Sequence, residues 1–359
     1  MLAVGWLLDR FGARIVLTGV GLMLGLAAIW MSEVSNQLGV YAGFTALRIF
    51  GQGSLGLVPS SLVALWFVRR RGRATALAGL GMVASQAVFP PLIHTLITHV
   101  GWRQTWVVLG IIVWVLLIPV ALLLVRRSPE SVGLRPDGVI APSVLADYDQ
   151  QPSIVQGGVD WTLREAIHTK TFWLVFTAAG SQSLVSTALI FHQTAVFDSR
   201  ELSAGVSAAV LSVMGPVSLA GALSGGFLSD RFPNRLLLLA GQAILGVGIV
   251  LAITMTEPWQ AVIYGAVIGF SSGSVFTVAA VIWPNYYGRK HLGSIRGAAA
   301  VAMVAGAALG PLPFALTFDI TGSYTSVLVI FLVFPALSVV AALFAVPPEH
   351  RKVTQSAPE

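Results

Sequence analysis

The sequence predicts an all-α fold: a polytopic membrane helical bundle of two parallel six-helix repeats, with the first helix and most of the second missing. Three observations lead there. Of 359 residues, 56% are hydrophobic and only 10% are charged, against about 25% charged in a typical soluble domain. Ten stretches stay apolar over the roughly 20 residues that a helix needs to cross a bilayer core. Segments of the chain also recur at a spacing near 221 residues.

The spans are expected at 14–32, 40–68, 74–98, 105–125, 172–197, 206–228, 235–256, 259–285, 297–318 and 323–346. Unbroken apolarity at this length, rather than alternation, favours helices over a membrane barrel. The longer spans are expected to tilt. The 37 Gly and 18 Pro lie largely inside these runs, as membrane helices tolerate. Residues 1–8 are too short for a cleavable signal and end at Asp9-Arg10. The chain divides into an N-terminal bundle at 1–125, a linker at 126–171, a C-terminal bundle at 172–346 and a tail at 347–359.

Charge sets the orientation. Eighteen Arg and three Lys oppose fifteen acids, a net charge of +6. One set of loops holds eighteen of these cations, the opposite set only Arg103 and Arg200, and Arg48 lies within a span. By the positive-inside bias the first set is cytoplasmic, which places linker and tail inside the cell. Trp102, Trp106, Trp161, Trp173 and Trp259 sit at span ends as interfacial anchors. The linker, polar and rich in Pro, Gly, Ser and Asp, reads as a tether without chemistry, with a short interfacial helix in WTLREAIHTK.

Several function classes fall away. No cysteine means no thiol chemistry or cysteine metal site, and the six histidines lack metal-ligand spacing. No nucleotide-binding loop, nucleophile elbow or paired catalytic carboxylates appear, so neither an enzyme nor a cofactor is expected. The basic charge belongs to topology rather than to nucleic acid.

Self-comparison is the most informative step. GWLLDRFGAR at 5–14 reappears as GFLSDRFPNR at 226–235, an offset of 221. Pro90 matches Pro311 at 221, and Arg73 pairs with Arg296 at 223. The chain is two copies of one helical unit in the same orientation. The second copy has six spans and the first four plus the end of another, so the chain is expected to lack about fifty residues at its N-terminus. The spans are accordingly numbered 3 to 12.

GWLLDRFGAR resembles the loop 2–3 signature of the major facilitator superfamily, Gly-x-x-x-Asp-Arg-x-Gly-x-Arg. RRRGRATALAG, RSPESVGLRPDG and YYGRKHLGSIRG resemble bacterial monocarboxylate- and oxalate/formate-type porters. The resemblance covers the whole chain and implies secondary transport by alternating access. It also implies that Asp9, Arg10 and Arg14, with Asp230, Arg231 and Arg235 in the weaker copy, latch the cytoplasmic side. Physically, Asp9 can pair with Arg10 or Arg14 or face the positive N-terminus of a neighbouring helix. Pro233 stands where the first copy has Gly12.

Arg48 lies roughly 12 Å into its helix from Val40 at 1.5 Å per residue. A cation at that depth is expected to face a cavity or partner, and no span carries an acid near its centre. LRIFGQGSLG resembles the span 4 motif whose arginine is linked to substrate or proton coupling; the competing reading is a snorkelling arginine. Gln86 and Gln182 fall near the midplane as hydrogen-bond donors to a substrate, or as helix-packing contacts. His192, late in span 7, is a candidate for coupling; the competing reading is a hydrogen-bonded helix contact.

The expected function is transport of a small organic anion, monocarboxylate-like, across a bacterial inner membrane, proton-coupled or by exchange. The expected partners are that small-molecule substrate and the lipid bilayer, without nucleic acid, and the chain is expected to be a monomer. Span 8 contains no Arg, where animal monocarboxylate porters are implied to have one. Efflux of hydrophobic or cationic compounds is an alternative, but span 5 lacks the Gly-x-x-x-Gly-Pro run of drug/proton antiporters. A non-transporting sensor or inactive fragment is the other.

Overall fold

A computed structural model describes residues 2–138 and 160–349. Much of the linker, and the tail from residue 350 on, therefore lie outside the described residues. The helices are α1 (Leu2–Phe11), α2 (Ala13–Glu33), α3 (Gln37–Leu47), α4 (Leu55–Trp66), α5 (Arg71–Leu123), α6 (Leu163–Ile167) and α7 (Lys170–Asp198). They continue as α8 (Ala204–Ser229), α9 (Asn234–Thr254), α10 (Pro258–Tyr287), α11 (Leu292–Leu309), α12 (Pro311–Thr321), α13 (Tyr324–Phe331) and α14 (Val333–Phe344). Among the described residues nine helical stretches are long and apolar enough to cross a membrane. The fold is the expected all-α polytopic bundle.

Breaks in the helices follow local chemistry. α5 runs through two expected spans and reverses at Gly101, whose φ of 78° is left-handed and favours glycine. α3 and α4 form one span joined by a π-helical stretch, Arg48–Ser54, where Gly51, Gly53 and the nearby Pro59 weaken the α-helical ladder. Pro311 sits in the first turn of α12, so span 11 breaks at the Gly310-Pro311 pair. Thr169 caps α7, and Thr162 with Glu165 forms a reciprocal box at α6, the short helix expected in WTLREAIHTK.

Without a hydrophobic drive between helices in lipid, close packing of small residues takes over. α8 and α10 approach so closely that a Cβ on Gly273 would lie 1.8 Å from the carbonyl oxygen of Ser218. One buried cluster, from Leu8 to Val125, lies within the first copy, and another, from Val185 to Phe331, within the second. Large apolar side chains point outward, among them Leu38, Phe191 and Ile320, the last 84% exposed. Such an apolar exterior suits lipid rather than water. Arginine-rich loops gather at one end: α1, α4, α5, α8, α10 and α11 all begin or finish there, and the two copies touch across it.

Candidate gate and polar lining

Each copy supplies an aspartate that caps a helix of the other. Asp9, at the end of α1, accepts hydrogen bonds from the backbone N–H of Gly293 (2.8 Å) and Ser294 (2.7 Å) and from the Ser294 hydroxyl. Those N–H groups belong to the first turn of α11, which has no side-chain cap of its own at His291. Asp230, just after α8, accepts from Gly72 (2.8 Å) and Arg73 (3.4 Å) in the first turn of α5, likewise uncapped at Arg70. The orphan N–H groups and positive end of each helix are thus met by a carboxylate supplied from the other copy.

Glycine permits this approach. A Cβ on Gly5 would sit 2.2 Å from the Gly293 carbonyl oxygen, and one on Gly72 would sit 2.0 Å from that of Gly226. Gly5 to Gly226, Asp9 to Asp230 and Gly72 to Gly293 are all 221 residues apart, so the two contacts are copies of one design. Arg73 occupies the place of Ser294 at that same offset, not of Arg296 as the local sequence match suggests. It adds an ion pair to Asp230 at 3.4 Å and lies over the Phe227 ring.

The expected latch arginines stand outside these contacts. Arg10 lies over the rings of Trp6 and Phe11. Arg14 and Arg231 are exposed and Arg235 is half-buried, and no ion pair joins any of them to Asp9 or Asp230. The helix N-terminus, not the adjacent arginine, receives each carboxylate. The two turns also differ: Gly12 has φ of 80°, whereas Pro233, locked to negative φ, stands at −56°.

The linker, read as a tether, is docked at both ends. Asp137 accepts from the N–H groups of Val68, Arg69 and Arg70 at 2.9–3.3 Å, clasping the turn before α5. Asp160 accepts from the N–H groups of Arg289 and Lys290 at 3.0 and 3.1 Å, clasping the corresponding turn before α11. Arg289 pairs with Glu130 at 3.1 Å and donates to the Leu65 carbonyl at 2.7 Å, joining the copies again. Burial pushes the Glu130 carboxyl up, but hydrogen bonds from its own backbone N–H, then from Ser128 and Arg289, outweigh it and hold the group below its usual range. Arg71 is buried; it donates to the carbonyls of Phe67 and Ala64 and, across the copies, to Asn285. Burial pushes its guanidinium down to about 10, with Arg289 adding to the effect. A cleft of about 280 Å³ remains here, lined by Asp9, Ser61, Arg127, Glu130, Asp160 and Lys290 among others.

The span residues separate into two groups. His192 stacks on Phe314 at 4.7 Å and directs Nε2 to the Pro311 carbonyl at 3.2 Å, a contact between α7 and α12. Ser183, Gln193 and Ser271 likewise bond backbone carbonyls of neighbouring helices. Gln182 differs in bonding side chains: its amide donates to Ser186 at 2.9 Å and lies 3.5 Å from Ser272, while its Oε1, like that of Gln193, has no partner among the described residues. Arg48 heads the π-helical stretch, exposed, and donates to Gln52 one turn on. The Gln86 side chain lies outside the described residues. Among the described residues no hydrogen bond joins Arg48 to Gln182 or His192.

Comparison with known proteins agrees with this architecture. The family model described as Major Facilitator Superfamily matches residues 1–225 and 201–359. MFS transporter asaE of Aspergillus flavus is 25% identical over 90% of this chain and 68% of its own length. The oxalate:formate antiporter of Oxalobacter formigenes is 25% identical over 63% of this chain and 50% of its own. Among solved structures, the transporter FucP in the outward conformation superposes with a TM-score of 0.66 at 15% identity, covering 96% of this chain and 86% of that one. The chain belongs to the Major Facilitator Superfamily and is a multi-pass secondary transporter, not an enzyme.

Proposed function

We propose that this transporter moves a small organic anion, monocarboxylate-like, across a bacterial inner membrane by alternating access, coupled to protons or to exchange. The observation that carries the anion is Arg48: a cation within a span, held by the neutral Gln52, with no acid near the centre of any span to neutralise it. A charge placed there is expensive unless it serves a pathway. The π-helical stretch that begins at Arg48 is a distortion frequent at functional sites. Similarity to an oxalate:formate antiporter supports a carboxylate.

In this reading the arginine-rich end faces the cytoplasm, as does the C-terminus. The Asp9 and Asp230 contacts then close the cytoplasmic side, the pathway opens outward, and parting them is the inward step. Gln182, Ser186 and Ser272 form a hydrogen-bonding cluster between α7 and α10, and the buried, unpartnered Gln182 oxygen would meet substrate only once the helices move. His192 and Gln86 stay candidates for coupling and binding.

Uptake of labelled formate, acetate, lactate and oxalate into proteoliposomes under an imposed pH gradient tests the reading. Arg48→Ala is expected to abolish uptake while leaving insertion intact. Undiminished uptake in that variant would remove Arg48 from the pathway.

A further inference from the structure

Two cations at the junction of the two copies are matched by acids. Arg73 has Asp230, and Arg289 has Glu130. Arg296 has nothing. It lies one turn into α11, 9% exposed, with its Nη1 fully buried and no hydrogen-bond or ion-pair partner among the described residues. Its helix packs against α1 and α4 of the other copy. On α4, Ser61 is 1% exposed and its hydroxyl also lacks a partner. Arg71, the other buried cation here, bonds only neutral oxygens and lies near enough to Arg296 to repel it.

A buried guanidinium with no partner, beside a second that bonds only neutral oxygens and feels the Asp137 and Asp230 carboxylates from a distance, makes a costly arrangement. A purely structural arginine would snorkel to water or pair with an acid. Their position is also where the copies part. The Arg71 to Asn285 bond crosses the junction, so separation frees that guanidinium nitrogen beside Arg296. Planar guanidinium forks match a carboxylate in two-point geometry.

We propose that Arg296, with Arg71, forms an anion subsite at the cytoplasmic end of the pathway, which holds the carboxylate of a transported anion when the two copies separate. This rests on the anion reading above and adds a second station to it. The first station, Arg48, binds on the outward side of the gate. The second lies within the gate and serves release and re-entry.

The chain contains no cysteine, so one introduced thiol reports its own site alone. Ser61→Cys, nearly isosteric, places a nearly buried thiol at the edge of the cleft that alkylates faster when the gate parts. Its maleimide labelling rate in proteoliposomes is measured with sodium formate, acetate or oxalate against sodium chloride at equal ionic strength. The carboxylates are expected to slow labelling at least threefold, to do so equally with Arg296→Lys, and to have no effect with Arg296→Gln. Protection that survives Arg296→Gln, or no protection in the Ser61→Cys chain, overturns the subsite. Uptake in the same vesicles separates the two ideas. Uptake without protection removes the subsite and leaves anion transport standing; protection without uptake keeps the subsite and removes the transport assignment.

Discussion

Replacing Asp9 tests the gate directly. Its carboxylate meets the N–H groups of Gly293 and Ser294, which α11 cannot otherwise satisfy from its own sequence. Loss of a helix cap costs about 1 kcal/mol, with a range of about 0.5–2. A carboxylate at a helix N-terminus adds about 0.3–1 kcal/mol of charge–dipole attraction. Asp9→Ala removes both, together about 1–2 kcal/mol, and shifts the closed-to-open ratio by roughly 5–30-fold. Asn is as good a cap as Asp, so Asp9→Asn loses only the charge and shifts the ratio about 2–5-fold. Spin labels at Ile15→Cys and Lys290→Cys, exposed positions on opposite copies at the arginine-rich end, report the separation in lipid nanodiscs. The short-distance population should fall in the order wild type, Asn, Ala. If all three give one distance distribution, the aspartate does not hold the gate.

Gly72→Ala puts a methyl 2.0 Å from the Gly226 carbonyl oxygen, a backbone atom with no room to yield. The gate then fails to close, so uptake is lost while the same label pair reports the open distance. His192→Phe keeps the stack on Phe314 and removes the ring nitrogen that meets the Pro311 carbonyl; as a coupling candidate it should shift the pH profile of uptake, and an unchanged profile would leave His192 a helix contact. Glu130→Gln and Arg289→Gln, combined in a double-mutant cycle on the label-pair equilibrium, should show coupling below about 1 kcal/mol, as half-exposed ion pairs do. Arg289→Gln alone should shift it further than Glu130→Gln alone, because it also loses the bond to Leu65.

Nearly all of the bundle was legible because lipid demands long apolar stretches; the reversal of α5 at Gly101 showed only as a gap between two spans. Half of the gate was legible too. Asp9 and Asp230 stand out in the repeated motif, whereas their acceptors, the N–H groups of residues 72, 73, 293 and 294, carry no side-chain signature. A clue did exist: α5 and α11 are preceded by Arg70 and His291, neither of them a capping residue, so their first turns need a partner from elsewhere. The linker acids were missed for a related reason. Asp137 and Asp160 bind turns more than sixty residues away through backbone atoms, and no local pattern reveals such a bond. Arg296 was noticed, but as the partner of Arg73 in the repeat; only burial distinguishes the paired cation from the unpaired one.

The choice of helix ends over intramembrane ion pairs has an energetic consequence for alternating access. Breaking a buried Asp–Arg pair strands a charge, at about 3–5 kcal/mol, and two such breaks would trap a transporter in one state. A carboxylate leaving a helix N-terminus at the arginine-rich end instead exposes N–H groups and carboxylate alike to water, which replaces both partners. Each cap therefore contributes about 1–2 kcal/mol, the two together about 2–4 kcal/mol, and the partly exposed Arg73–Asp230 pair adds up to about 1 kcal/mol. That lies within the range of about 5.5 kcal/mol by which a ligand's differential affinity can carry an equilibrium from one state almost wholly to the other. In the proposed cycle, weak capping in both copies, with one added ion pair at Asp230, would keep the gate closed at rest and within reach of its substrate.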